Sequence, residues 1–172
     1  LRKGYTLIIL IIAISVLSIG LLVAIPVWQT QIQREKEEEL MFRGKQYVEA
    51  IRLYQIKFPG SFPKNLEELL EEKCLRHLYK DPMTKHGEWN VILPYKRMPK
   101  RKKKAVQKVL IVPLKALSSI DAPRVIGLVS SSTKKSIKIY LKQVTYDKWL
   151  FFYGQDPQKM PEIVYYGQEE ED

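Results

Sequence analysis

From Gly4 to Gln33 the chain carries no charged residue, and within that interval Leu7 to Ile14 is apolar without a break. Such a stretch strongly restricts what the chain can become. A segment that crosses a bilayer must satisfy every backbone donor and acceptor internally, and a single α-helix does this. About 20 apolar residues suffice to span the hydrocarbon, so Tyr5 to Val27 is long enough. Its polar exceptions, Thr6, Ser15, Ser18 and Gly20, are small, and hydroxyls can bond back to helix carbonyls.

A secretory signal would have an apolar core of about 7 to 15 residues followed by a small-residue cleavage site. Here the order is reversed. The basic pair Arg2-Lys3, then Gly4, then the aromatic Tyr5 precede the apolar run. Cleavage after Gly4 would leave the hydrophobic helix on the mature chain. Arg2 and Lys3 favour a cytoplasmic N-terminus, whereas Arg34 and Lys36 on the other flank are offset by nearby glutamates. The remainder is then expected outside the cytoplasm.

The helical pattern continues past the bilayer. Leu40, Met41, Gly44, Tyr47, Val48, Ile51, Tyr54 and Phe58 recur every three or four residues, which places them on one stripe of an amphipathic helix. Tyr5 to about Lys57 therefore reads as one helix, about 80 Å long at 1.5 Å per residue. Pro26 has no backbone donor and should kink or locally melt it between Ala24 and Val27. Pro59-Gly60 and Pro63 end this spine. Asn65 can then cap a second helix with Glu68 as reciprocal partner and Leu66, Leu69 and Leu70 as its apolar face, ending near Lys73.

From Trp89 onward the pattern changes to short segments rich in β-branched and aromatic residues: 89–93, 109–112, 125–129, 136–141 and 148–153. They predict an antiparallel sheet. Ser136 to Tyr140 alternates polar and apolar, so its isoleucine face should cover the spine and its lysine face meet water, with Ser131 to Lys135 as a hairpin turn. The expected class is α+β, a long helix packed against a small antiparallel sheet.

The net charge of +10 suggests a polyanion ligand until its distribution is considered. Lys96, Arg97, Lys100, Arg101, Lys102, Lys103, Lys104 and Lys108 supply eight of those charges with no acid between them, so the rest of the chain nets only +2. This basic run reads as a solvated loop or as a contact with acidic residues of a neighbouring subunit. Base-stacking aromatics are not interleaved with it, which argues against nucleic acid. Glu35, Glu37, Glu38 and Glu39 are its acidic counterpart just outside the membrane. They could meet a neighbour's basic loop, or pair locally with Arg34, Lys36 and Arg43 for about 0.2 to 0.5 kcal/mol each.

Chemistry finds little to stand on. Cys74 is the single cysteine, so no internal disulfide can form; it reads as a small buried hydrophobe rather than a link between chains. His77 and His86 are not at helical spacing from a second good ligand. Ser130-Ser131-Ser132 lacks an evident base, and Asp81-Pro82-Met83-Thr84 reads as a turn. No catalytic residue, cofactor or metal is expected.

The junction Gly4-Tyr5-Thr6-Leu7-Ile8, with Pro26 near the end of the membrane segment, resembles the type IV pilins and type II secretion pseudopilins. The resemblance extends through 34–44, Phe58-Pro59-Gly60-Ser61-Phe62-Pro63, Asp81-Pro82-Met83-Thr84 and Gly127-Leu128-Val129-Ser130, which look like a subfamily close to the G-type subunit. It implies a pilin-like fold, processing between Gly4 and Tyr5 by a prepilin peptidase, and polymerisation through the hydrophobic helix. Implied partners are other pseudopilin subunits, an inner-membrane assembly platform and a cytoplasmic ATPase. The implied location is the bacterial inner membrane, with the globular domain periplasmic.

The corresponding organisation is a leader end at 1–4, a membrane helix at 5–27, a globular domain at 28–160 and an acidic tail at 161–172. Two alternatives stay open: a minor pilin of a type IV pilus, and a single-pass adaptor that never polymerises. One residue departs from the family pattern, since Ile9 stands where a glutamate is usual as fifth residue of the mature chain. The G-type likeness also raises calcium, but the terminal acids are consecutive in an open tail and do not converge as calcium's six to eight ligands must.

Overall fold

The computed structural model describes residues 3–95 and 108–167. The chain divides into two compact units, Leu1–Lys36 and Glu37–Asp172. The boundary falls inside the long helix.

Helix α1 spans Lys3–Lys57, 55 residues, and includes Pro26. The expected perturbation at 24–27 is not a break, because the helix continues on both sides and Thr30 Oγ1 donates to the Pro26 carbonyl at 2.9 Å. The end falls where the Pro-Gly pair forecast it, with Phe58 N–H bonded to Tyr54 O at 2.8 Å and Gly60 at φ +80°.

Helix α2, Glu67–Glu71, is a short turn of helix. Asn65 Oδ1 accepts from the Glu68 N–H at 2.8 Å, while the Glu68 carboxylate reaches back to the Lys64 N–H at 2.6 Å. Leu66 and Leu69 are buried, but Leu70 faces outward and leaves the expected apolar face. Lys73, in the left-handed region at φ 58°, terminates the turn.

Among the described residues seven strands follow: β1 Trp89–Pro94, β2 Lys108–Pro113, β3 Gly127–Ser130, β4 Lys135–Tyr140, β5 Gln143–Thr145, β6 Phe151–Phe152 and β7 Glu162–Tyr165. Five form one sheet in the order β6-β3-β1-β2-β7, and β4-β5 form a separate two-stranded sheet. Short 3-10 turns occupy Leu114–Ser119 and Tyr146–Lys148, the latter where the fifth strand was expected to begin.

The larger sheet is mixed, not antiparallel. Strand β7 runs parallel to β2, pairing Val109 with Ile163 and Ile111 with Tyr165. Residues 162–165, expected in an acidic tail, thus belong to the sheet, and the Tyr166 N–H extends the pairing to Ile111 O at 2.9 Å.

Both faces of this sheet are covered. On one face Val91, Leu93, Val112, Leu128 and Phe151 pack with Leu40, Tyr47, Ala50, Ile51 and Tyr54 of α1. On the other, Ile92, Val109, Ile111, Val129, Leu150 and Phe152 are buried with Met160, Ile163 and Tyr165 packed against them. Double coverage explains why β1 and β2 read as continuous apolar runs, since neither pleat face meets water.

Two glycines set the spacing. A Cβ on Gly44 would lie 2.5 Å from the Phe151 ring, so α1 carries no side chain where that ring seats. A Cβ on Gly127 would lie 2.2 Å from the Phe151 carbonyl oxygen, in the pair between β3 and β6.

The β4-β5 hairpin departs most from expectation. Ser131 to Lys135 makes no hairpin, since β3 and β4 lie in different sheets, and β4 turns instead into β5 at Leu141-Lys142, φ 47° and 64°. Two positive φ values suit a tight two-residue hairpin, yet the left-handed region costs about 1 to 2 kcal/mol per non-glycine residue. The facing is inverted as well. Ile137 and Ile139 point outward, while Ser136, Lys138 and Tyr140 are partly buried.

Candidate functional site

The first unit presents an apolar surface with no cover. Tyr5, Leu7, Ile8, Ile9, Leu10, Ile11 and their apolar successors to Leu21, then Ile25, Val27 and Trp28, are exposed, Ile9 at 65% and Trp28 at 73%. Ser15 Oγ and Ser18 Oγ each donate to the carbonyl four residues earlier at 2.8 Å, which removes the polar objection to lipid. This is one helix long and apolar enough to cross a membrane.

Gly4, Tyr5 and Ile9 all lie on this helix, and the space beside Gly4 is open. From Gly4 onward the first acid along α1 is Glu35, so the helix offers no carboxylate near Ile9.

The four glutamates expected to act as a group do different things. Glu35 accepts from Gln31 Nε2 at 3.2 Å, Glu39 pairs with Arg43 at 2.7 Å, and Glu38 pairs with Lys138 at 2.7 Å. The Lys138 ammonium, bonded to it, holds the Glu38 carboxyl below the usual glutamate range. Glu37 is fully buried. It accepts from the Ile137 N–H at 2.7 Å, the Lys138 N–H at 3.0 Å and the Tyr146 hydroxyl at 2.7 Å.

A carboxylate with three donors can remain inside a domain because those bonds replace its hydration. Glu37 is therefore a clamp between α1 and β4, and the expectation that it faces a neighbouring subunit is corrected. This clamp also explains the inverted hairpin. With the β4 amides turned onto Glu37 and Tyr140 stacked 5.5 Å from Trp149 and 5.3 Å from Phe151, the isoleucines are directed away. The only sequence signal for it was an acid one turn before the apolar stripe that begins at Leu40.

Lys100, Arg101, Lys102, Lys103 and Lys104 lie outside the described residues. Lys108, the last member of the run, sits on β2 and pairs with Glu162 of β7 at 3.0 Å.

A second buried polar cluster ties the loop before β1 to the end of β3. Ser130 Oγ donates to Asp81 Oδ2 at 2.6 Å, and Asp81 Oδ1 accepts from the Met83 N–H at 2.8 Å. Burial pushes the Asp81 carboxyl up, although these hydrogen bonds oppose the shift. The turn assigned to Asp81-Pro82-Met83-Thr84 is thus an Asx turn. Ser130 has a carboxylate partner but no imidazole: His77 and His86 are exposed, and the His77 ring packs 4.1 Å from Tyr79. Cys74 is half-buried against the core, and burial raises its thiol pKa. No cluster of three metal-ligating side chains occurs among the described residues.

No protein-family model, curated protein or solved structure matches this chain. The class that the structure defines is an α+β protein with a long N-terminal helix, apolar at its start and packed on a small sheet, an arrangement compatible with a pilin-like fold.

Proposed function

We propose that this chain is a structural subunit of a type II secretion pseudopilus, inserted in the inner membrane by α1 and polymerised through that helix to drive protein secretion. The observation that carries the reading is the division of labour along α1, an exposed apolar stretch followed by a spine that forms the core of the folded unit.

Its mechanism is mechanical. Apolar side chains solvated by lipid in the stored subunit exchange that contact for neighbouring helices in the filament, so leaving the bilayer does not expose them to water. The chain carries no catalysis in this role. A prepilin peptidase, an inner-membrane platform and other pseudopilin subunits are the partners, and the folded unit is periplasmic.

Ile9 favours a minor or initiating position. In the resembled families a glutamate there neutralises the terminal amine of an adjacent subunit, and isoleucine supplies no acceptor. The competing reading, a single-pass adaptor, retains Leu1 to Gly4. Co-expression with a prepilin peptidase separates them: the intact mass falls by the residues through Gly4, and Gly4→Leu abolishes the change. An identical mass with and without peptidase excludes the proposal.

A further inference from the structure

The hairpin β4-β5 exposes apolar side chains on a surface that its own clamp prevents from turning inward. Lys135, Ile137 and Ile139 alternate on the outward face of β4; Ile139 is 72% exposed, and Val144 of β5 is 50% exposed. The inward face is engaged, by Glu37 at the amides of Ile137 and Lys138, by Glu38 at Lys138, and by Trp149 and Phe151 at Tyr140.

Charge distinguishes this face from an uncovered piece of core. Residues 131–146 contain Lys134, Lys135, Lys138 and Lys142 and no acid, in a two-stranded sheet whose tight turn is kept although neither Leu141 nor Lys142 is a glycine. Aliphatic side chains ringed by lysines are complementary to an anionic lipid surface: the apolar groups enter the headgroup boundary while the ammonium groups reach phosphates.

Chain length supplies the other constraint. Glu37, on which the hairpin is clamped, follows Trp28 by nine residues in the chain. Trp28 ends the apolar segment, and its amphipathic ring suits the headgroup level. Few residues of chain therefore separate the hairpin's anchor from the apolar segment.

We infer that the outward face of the β4-β5 hairpin, Ile137, Ile139 and Val144 flanked by Lys134 and Lys142, is a second membrane contact that rests on anionic lipid while the chain is held in the bilayer by α1. The inference requires only that α1 enter the membrane, and it stands or falls independently of polymerisation. Contact with lipid would have to be released when the chain leaves the bilayer.

The test uses the full chain with Ile139→benzoylphenylalanine, reconstituted in vesicles of phosphatidylglycerol and phosphatidylcholine and irradiated. The expected product is protein plus one lipid, at a yield at least about five-fold above that of Lys85→benzoylphenylalanine, an exposed site elsewhere in the domain. Replacing Lys134 and Lys142 by Gln, substituting pure phosphatidylcholine, or raising salt from 0.1 to 0.5 M should each reduce the yield several-fold, because exposed charges are screened over about 10 Å at 0.1 M. A covalent dimer in place of the lipid adduct would overturn the inference in favour of a second copy. A yield no higher than at Lys85, or one indifferent to the lysines, would overturn it outright.

Discussion

The Tyr146 hydroxyl donates to the Glu37 carboxylate across 2.7 Å with both residues out of solvent, joining α1 to the turn that follows the β4-β5 hairpin. Removing the carboxylate takes away the acceptor that this hydroxyl shares with the amides of Ile137 and Lys138. Each buried unsatisfied group costs about 1 to 3 kcal/mol, so Glu37→Ala should destabilise the fragment beginning at Arg34 by at least about 3 kcal/mol in urea unfolding. Tyr146→Phe should lose about 1 kcal/mol, the net worth of one hydrogen bond. A loss under about 1 kcal/mol for Glu37→Ala would show that the clamp is not a principal support.

Gly44 faces the Phe151 ring at a distance that admits no Cβ. Alanine would gain about 0.8 to 1.0 kcal/mol of helix propensity over glycine, but overpacking a well-filled core costs about 1 to 3 kcal/mol. Packing should win modestly in Gly44→Ala and decisively in Gly44→Val. Thermal melts of the same fragment decide it, and a raised melting temperature for Gly44→Ala would refute the close seat.

Alkaline pH should weaken the spine. Burial is the main reason that the Tyr47 and Tyr54 hydroxyls are pushed up to about 12 from 10.0, reinforced at Tyr54 by its bond to Glu68. A folded value above the unfolded one means that the stability is complete below about pH 10 and is lost as pH rises toward 12. Each tyrosine should contribute a loss of about 1.4 kcal/mol per pH unit across that window. Equilibrium unfolding from pH 9 to 12, with Tyr54→Phe lowering the slope, provides the measurement; an unchanged slope would remove Tyr54 from the account.

If Ile9 keeps this subunit from repeating along a filament, Ile9→Glu should raise its share in purified filaments. An amine buried without an acceptor is penalised by several kcal/mol, and the new carboxylate would relieve it. Quantitative mass spectrometry of filaments assembled with each form gives the ratio. A homopolymer built by the unmodified chain would end the initiating-subunit reading and require another acceptor for the amine of Tyr5.

Much of the first half was legible in the residue pattern. Leu40, Tyr47, Ile51 and Tyr54 announce their helical face because a 3.6-residue period leaves a repeated mark, and the Pro59-Gly60 stop and the Asn65 cap are local chemistry. The β segments announced their existence but not their partners. Strand β7 was missed because Glu162 to Tyr165 pairs in parallel with a strand some fifty residues earlier, and nothing near it in the sequence forms a turn that would reveal the pairing.

The hairpin shows the deeper limit. Alternation at Ser136-Ile137-Lys138-Ile139-Tyr140 states that two faces differ, but it does not say which one is inside. That was decided by Glu37, a hundred residues earlier, whose carboxylate needs the β4 amides more than the core needs two isoleucines. Helix, apolar segment and strand positions thus follow from short-range periodicity and backbone chemistry. The parallel edge, the separate hairpin and its outward isoleucines arise only when distant donors and acceptors must be satisfied together inside one folded unit.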